Sequence, residues 1–379
     1  MFRWLLLILV LALIITLPLT TWHLKENVTI RAVLVDKTVP DPRFREHKPV
    51  TWILNNQKLI NKDTGQPFDF EEDYYGFYPL PDDEYEIRSF APLEYDKYDL
   101  IYFVDTYGVY YKEFYEQNPR GDRSPYIYGG TQPYEVEEVK KVLNKDNVFI
   151  AEFNSLATPT EKEAREAMEA LLGIKWTGWI GRYFNELDYD ANPELPTWVK
   201  ENWEKQHENE EWLYEGPGYV LVDLSDTIVV LQQPEDIGND VIRINFSDEL
   251  AKAYGVSNNE KYMYWFDIVQ ADKGTEVVAN YILDLTAEGQ ALLDEYQIPH
   301  TFPAITRTRA PYNTYYLAGD FSDHQSIPEF YKANFLNIFY PLVLVEREGM
   351  QKRFFWKVYF PVMQKILGDL RDHKVKESA

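Results

Sequence analysis

A chain of 379 residues with 45% hydrophobic side chains can bury one large core or two ordinary ones, and is too apolar to be a disordered segment. Acids outnumber bases 62 to 38 for a formal charge of −24, which disfavours a nucleic-acid surface, because phosphate binding needs a surplus of lysine and arginine on one face. The lack of any cysteine removes thiol nucleophiles, thiolate-held zinc, iron–sulfur clusters and disulfides together.

Trp4 to Thr20 is almost wholly apolar, with Arg3 ahead of it and Trp4 and Trp22 at its ends. About 20 such residues, rising 1.5 Å each, span the hydrocarbon of a bilayer. The run therefore predicts one N-terminal transmembrane helix within residues 1–24. The basic residue in front predicts a cytoplasmic amino end, with the bulk of the chain outside a cell membrane it crosses once. No small-x-small cleavage site follows in Leu17 to His23, so the anchor is expected to stay uncleaved.

Val28 to Val35 reads as the first strand, delivering Asp36 and Lys37 at its end. The triplet Arg45, Glu46, His47 opens a helical pattern through Trp52, Leu54 and Leu59, and fits a ligand clamp or plain N-terminal charge equally. Phe68 to Tyr85 mixes aromatics with acids and has no period, which predicts a functional loop or tyrosines plugging the sheet edge. The apolar run Leu100 to Val104 ends on Asp105, and Val148 to Ala151 ends on Glu152, Phe153, Asn154 and Ser155. Helical patterns at Tyr134–Leu143 and Thr160–Leu172 alternate with these runs. Such alternation is the mark of βαβ units with parallel strands buried on both faces, whose carboxyl ends bind ligands.

Trp176 to Phe184 carries close glycines among bulky aromatics and predicts a sharply bent strand bearing one cation, Arg182, suited to a carboxylate or phosphate. Asn192 to Trp212 reads as a surface helix. From Gly216 the texture turns to strands: a hairpin at Tyr219–Leu231, then Tyr262–Val269, Glu276–Leu283, Pro303–Thr306 and Tyr312–Leu317, with capped helices at Ser247–Tyr254 and Thr286–Tyr296. Phe354 to Leu370 is an amphipathic helix. The expected organisation is an anchor at 1–24, an α/β domain at 28–215, a β-rich extension completing or flanking its sheet at 216–350, and a C-terminal helix and tail at 351–379.

The order of elements from Val28 to Leu172, with the segment near Tyr315, resembles the class I glutamine amidotransferase-like superfamily, in its ThuA-like branch. Tyr128-Gly129-Gly130 is similar to the glycine turn near that family's oxyanion site, and Val148 to Ser155 to its strand and nucleophile turn. The resemblance implies an α/β, flavodoxin-like, mostly parallel sheet with β-rich C-terminal additions. It also implies a lost activity, since Phe153, Asn154 or Ser155 stands where a cysteine would act. Nothing in the spacing selects His47, His300 or His324 as a base for Ser155.

Two sets of candidates remain. Asp320, Asp323 and His324 follow a strand and offer two carboxylates and an imidazole to a divalent metal, or form an ordinary polar loop. Asp36, Lys37, Asp105, Gly129, Gly130, Glu152 and Asn154 share the predicted rim, with Arg182 as a further ligand contact. These support two expectations. One is a non-catalytic binding or assembly module for an envelope polysaccharide or other envelope component. The other is a carboxylate- or metal-dependent glycan hydrolase using Asp105, Glu152 and Asp320.

Overall fold

The computed structural model describes residues 16–378, apart from 239, 325–326, 329–330, 337, 339 and 341–350. In chain order its strands are β1 (Val28–Ile30), β2 (Ala32–Asp36), β3 (Leu59–Asn61), β4 (Tyr75–Pro79), β5 (Tyr85–Arg88), β6 (Leu100–Asp105), β7 (Val109–Tyr110), β8 (Tyr126–Tyr128), β9 (Val148–Glu152), β10 (Ile174–Phe184), β11 (Gly218–Val222), β12 (Ile228–Gln232), β13 (Arg243–Phe246), β14 (Glu260–Lys261), β15 (Phe266–Ala271), β16 (Glu276–Ile282), β17 (Thr301–Thr308) and β18 (Thr314–Leu317). Ten of them form one sheet in the order β14-β13-β16-β17-β18-β9-β6-β2-β4-β5.

The predicted α/β core is present, but the sheet is mixed, and the expectation of a flavodoxin-like, mostly parallel sheet is overturned. Four pairings, joining β4, β2, β6, β9 and β18, are parallel. Five are antiparallel, one at the β4–β5 edge and four from β18 outward to β14. At the turn from the parallel to the antiparallel half the reason is connection length. β17 reaches β18 through residues 309–313, whereas a parallel return needs a crossover of a dozen residues or more. A separate antiparallel sheet, β12-β11-β10-β15, adds to the departure.

Among the described residues no helix is long and apolar enough to cross a membrane. The expected transmembrane anchor, and with it the single-pass cell-membrane address, is therefore not supported. Most of the run 4–20 on which it rested lies outside the described residues. The part that is described belongs to a short helix at residues 16–23, and the Trp22 indole there donates to Asn56 O at 2.7 Å.

Every residue of β6 and β9 is buried, as two-sided burial of apolar runs requires. The C-terminal helix supplies part of that cover. It is less a surface helix than a core one: Phe354, Phe355, Trp356, Val358, Tyr359, Phe360, Val362 and Met363 are all buried. A π-helical turn at Phe355–Tyr359 shifts the side-chain register there, placing the Tyr359 hydroxyl 2.9 Å from that of Tyr102 on β6. β10 is the bent strand expected, with its register shifted between Trp176 and Ile180. A smaller core, containing Trp203, Trp212, Val220 and Val230, lies between the β11–β12 hairpin and the helix Thr197–Gln206.

Candidate functional site

The parallel strands meet at their carboxyl ends, and Asp36 pairs with Asp105 across the β2–β6 boundary, where the direction of chain progression reverses. In open α/β sheets such a switch point is the usual ligand crevice. Here the predicted acids do converge, but their oxygens are already engaged. Asp36 Oδ1 accepts from Thr38 N at 2.9 Å, and Oδ2 lies 2.6 Å from His47 Nδ1. His47 Nε2 lies 2.6 Å from Phe70 O, which can only accept, so that nitrogen carries a proton. Asp36 and His47 then share the second proton as a buried ion pair or its neutral counterpart.

Asp105 is held as completely. Its Oδ1 accepts from the Thr38 hydroxyl at 2.5 Å and from Tyr107 N at 2.6 Å, and its Oδ2 from Asn154 Nδ2 at 3.0 Å. Burial, and then the charge of Asp36, push its carboxyl up to about 7. Asn154 sits in a left-handed bend at φ 69°, and its amide is committed to Asp105. Ser155 is fully buried beside it, and its Oγ has no partner among the described residues.

Glu152 ties β9 to the turn after β18. It accepts from the Tyr102 hydroxyl and from the N–H groups of Phe321 and Ser322 at 3.2 and 3.1 Å. Burial pushes it up to about 8. Lys37 reaches the glycine turn and the helix that follows it. Its Nζ donates to both Glu135 oxygens at 2.7 Å and to Gly130 O at 2.8 Å.

Gly130 donates its own N–H to Thr106 O at 2.7 Å, so this turn does not present that donor to a developing oxyanion. It lies at φ 67°, and an added Cβ would stand 2.9 Å from Pro159 O. Gly121 has a similar φ of 64° with nothing within 4 Å. Gly121→Ala is expected to cost about 1 kcal/mol for the left-handed backbone alone, and Gly130→Ala about 1 kcal/mol more. Equal urea midpoints for the two variants would show that the turn has room to spare.

The C-terminal loop departs from the predicted metal set. Asp320 and Asp323 come together with Glu46 rather than with His324; one carboxylate oxygen from each of the three lies within 4.8 Å of the others. Burial and the charges of Asp323 and Asp320 push Glu46 well above the carboxylate range. Burial, with Asp323 and Asp105, does the same to Asp320. Asp323 is gripped by the Arg45 guanidinium, with Nε at 2.9 Å, and accepts from the Tyr264 hydroxyl at 2.8 Å. His324 packs edge-on against Phe355, with ring centroids 4.6 Å apart, and burial lowers it to about 4. Arg182 pairs with Glu194 rather than with this group, its guanidinium 5.7 Å from the centre of the Tyr264 ring.

Sequence reasoning named the triplet at residues 45–47 without assigning it. The structure divides it among three neighbours: Arg45 to Asp323, Glu46 to the acid cluster and His47 to Asp36. Its position just ahead of a helix leading back to the same rim was the available signal. A concavity lined by Asp146, Arg307, Asn313, Asp369 and His373 lies at the opposite, amino ends of β9 and β18.

No family model matches the chain, and no curated protein matches it. Among solved structures, the chain is similar to a β-galactosidase from Bacillus circulans at 10% identity and a TM-score of 0.30, covering 78% of this chain and 30% of that one. It is similar also to a β-galactosidase from Rahnella at 10% identity and 0.31, covering 89% and 31%. The chain thus spans about a third of the length of these enzymes. A ThuA-like protein from Bacteroides uniformis is a distant structural neighbour at 9% identity and a TM-score of 0.26, covering 76% of this chain and 83% of that one.

Proposed function

We propose that this protein is a non-catalytic binding module, built on a degenerate scaffold of the class I amidotransferase-like type in its ThuA-like branch, and that its ligand is a polysaccharide. The observation that carries this reading is an aromatic surface beside a saturated rim. From Asp105 a series of rings leads outward: Tyr107 to Tyr110 with centroids 4.8 Å apart, and Tyr110 to Tyr126 at 5.6 Å. Alongside, Tyr111 stands 4.9 Å from Tyr115, Tyr115 packs on Phe114 at 4.7 Å, and Phe114 meets Tyr85 at 5.6 Å. Tyr85, Tyr111, Tyr115 and Tyr126 are each at least 40% exposed.

Exposed tyrosines offer a flat π face to the C–H side of a sugar ring and a hydroxyl at the edge to its polar groups. A surface of this size suits several linked rings better than one small molecule. The rim acids fit the same reading, because a general acid or nucleophile must reach substrate. The oxygens of Asp105 and Glu152 instead accept from Thr38, Tyr107, Asn154, Tyr102, Phe321 and Ser322.

Native electrophoresis through gels containing dextran, laminarin or xylan tests the proposal. Retardation by at least one polysaccharide is expected, and Tyr115→Ala or Tyr126→Ala should each weaken it by about tenfold, or roughly 1.4 kcal/mol. Asp105→Asn should leave it unchanged. Release of reducing ends that stops in Asp105→Asn would replace the binding reading with the hydrolase one.

A further inference from the structure

We propose that Glu46, Asp320 and Asp323 form a calcium site that joins the start of the helix His47–Asn56 to the loop after β18. The geometry is that of a cradle for a hard cation. The three residues offer only carboxylate oxygens, which suit calcium or magnesium and not the softer metals that favour imidazole or thiolate. Oxygens bound to one calcium at about 2.3–2.6 Å lie no more than about 5 Å apart. The three here, within 4.8 Å of one another, meet that limit as they stand.

A second observation points the same way. Glu46 is only 8% exposed, and its Oε2 is buried with no hydrogen-bond partner among the described residues. An orphaned acceptor of this kind costs about 1–3 kcal/mol, and more when charged, unless something binds it. Among the described residues no amide or hydroxyl donates to it, whereas the rim carboxylates 36, 105 and 152 are all supplied with donors. Arg45 offsets one negative charge by its fork on Asp323, which leaves a net requirement close to that of a divalent ion. Asp320 is partly exposed and gives the ion a way in, along with the waters that complete a coordination shell of six to eight.

Calcium is chosen over magnesium because it accepts irregular and two-pronged carboxylate arrangements, while magnesium demands a near-ideal octahedron at about 2.0–2.1 Å. The site does not depend on the polysaccharide reading. It would draw together residues more than 270 positions apart in the chain, from the first and last strands of the parallel set.

The test is calorimetric titration of the full chain, freed of metal with EDTA, with calcium chloride, alongside its melting temperature with and without the ion. One calcium per chain is expected, with a raised melting temperature. Glu46→Gln and Asp320→Asn should each bind at least about tenfold more weakly. Asp320 is the safer variant, since among the described residues its carboxylate has no hydrogen bond to lose with its charge, and the metal-free Asp320→Asn protein should melt no lower than the metal-free parent. Two results would overturn the proposal: no calcium heat and no melting shift in the parent protein, or undiminished binding in both folded variants. A melting shift from magnesium equal to that from calcium would overturn the choice of ion.

Discussion

Lys37→Met is expected to lower the free energy of unfolding by about 3–5 kcal/mol, because it strands the Glu135 carboxylate in the interior. Both side chains are only 2% exposed, and Lys37 bonds to Glu135 through both oxygens at 2.7 Å. Burial lowers the lysine from its ordinary value, and the glutamate works against that loss. The pair as a whole is another matter. Replacing both members by apolar groups of similar size is often neutral or stabilising, so Lys37→Met combined with Glu135→Leu should recover most of the deficit. What it would not recover is the Gly130 carbonyl contact and the capping bond from Gln132 N to Glu135 at 2.8 Å. Urea unfolding followed by tryptophan fluorescence reads all three variants. A single-variant loss under about 1 kcal/mol would mean that Lys37 is not confined as described.

This pair also marks how far the sequence could be read. Lys37 was legible as a residue at a strand end, and a strand end belongs to the rim. Its direction was not legible, because Glu135 lies 98 positions away and a buried partner at that separation leaves no local trace. The same division holds for the strands. Leu100–Val104 and Val148–Ala151 announced themselves as continuous apolar runs, since both of their faces are covered. β4 did not, because Tyr75–Pro79 looks like a turn, with its glycine and proline. Gly76 is there for fit: at φ 147° an added Cβ would come within 1.7 Å of Asp36 O, so the strand can lie against β2 only without a side chain. Strand periodicity likewise says nothing of direction, and only the β4–β5 and β17–β18 pairs have connections short enough to force an antiparallel return; β16 reaches β17 through a helix, which either direction would allow. The acid cluster was half visible. Asp320 and Asp323 share a loop, whereas Glu46 joins them only once β2 and β18 take their places in one sheet.

Between pH 5 and pH 8, Asp267→Asn is expected to gain on the parent protein by on the order of 2–3 kcal/mol. Asp267 on β15 is fully buried, with Oδ2 accepting from the Tyr316 hydroxyl and Oδ1 lacking a partner among the described residues. Burial, with a smaller effect from Asp105, pushes its carboxyl up from 3.8 to about 7. The folded chain therefore holds a proton that the unfolded chain releases. The stability this gives is whole below pH 3.8 and is lost as pH rises through about 7. An asparagine makes the neutral form permanent and removes the loss. His324, which burial lowers to about 4, slopes the other way on the acid side, but it does so in both proteins and cancels in their difference. Glu152, pushed up from 4.5 to about 8, adds to the decline of the parent across that same range and cancels likewise. Urea midpoints of the two proteins at pH 5 and pH 8 decide the matter, and a difference that does not change with pH would mean that Asp267 is ionised in the native protein throughout.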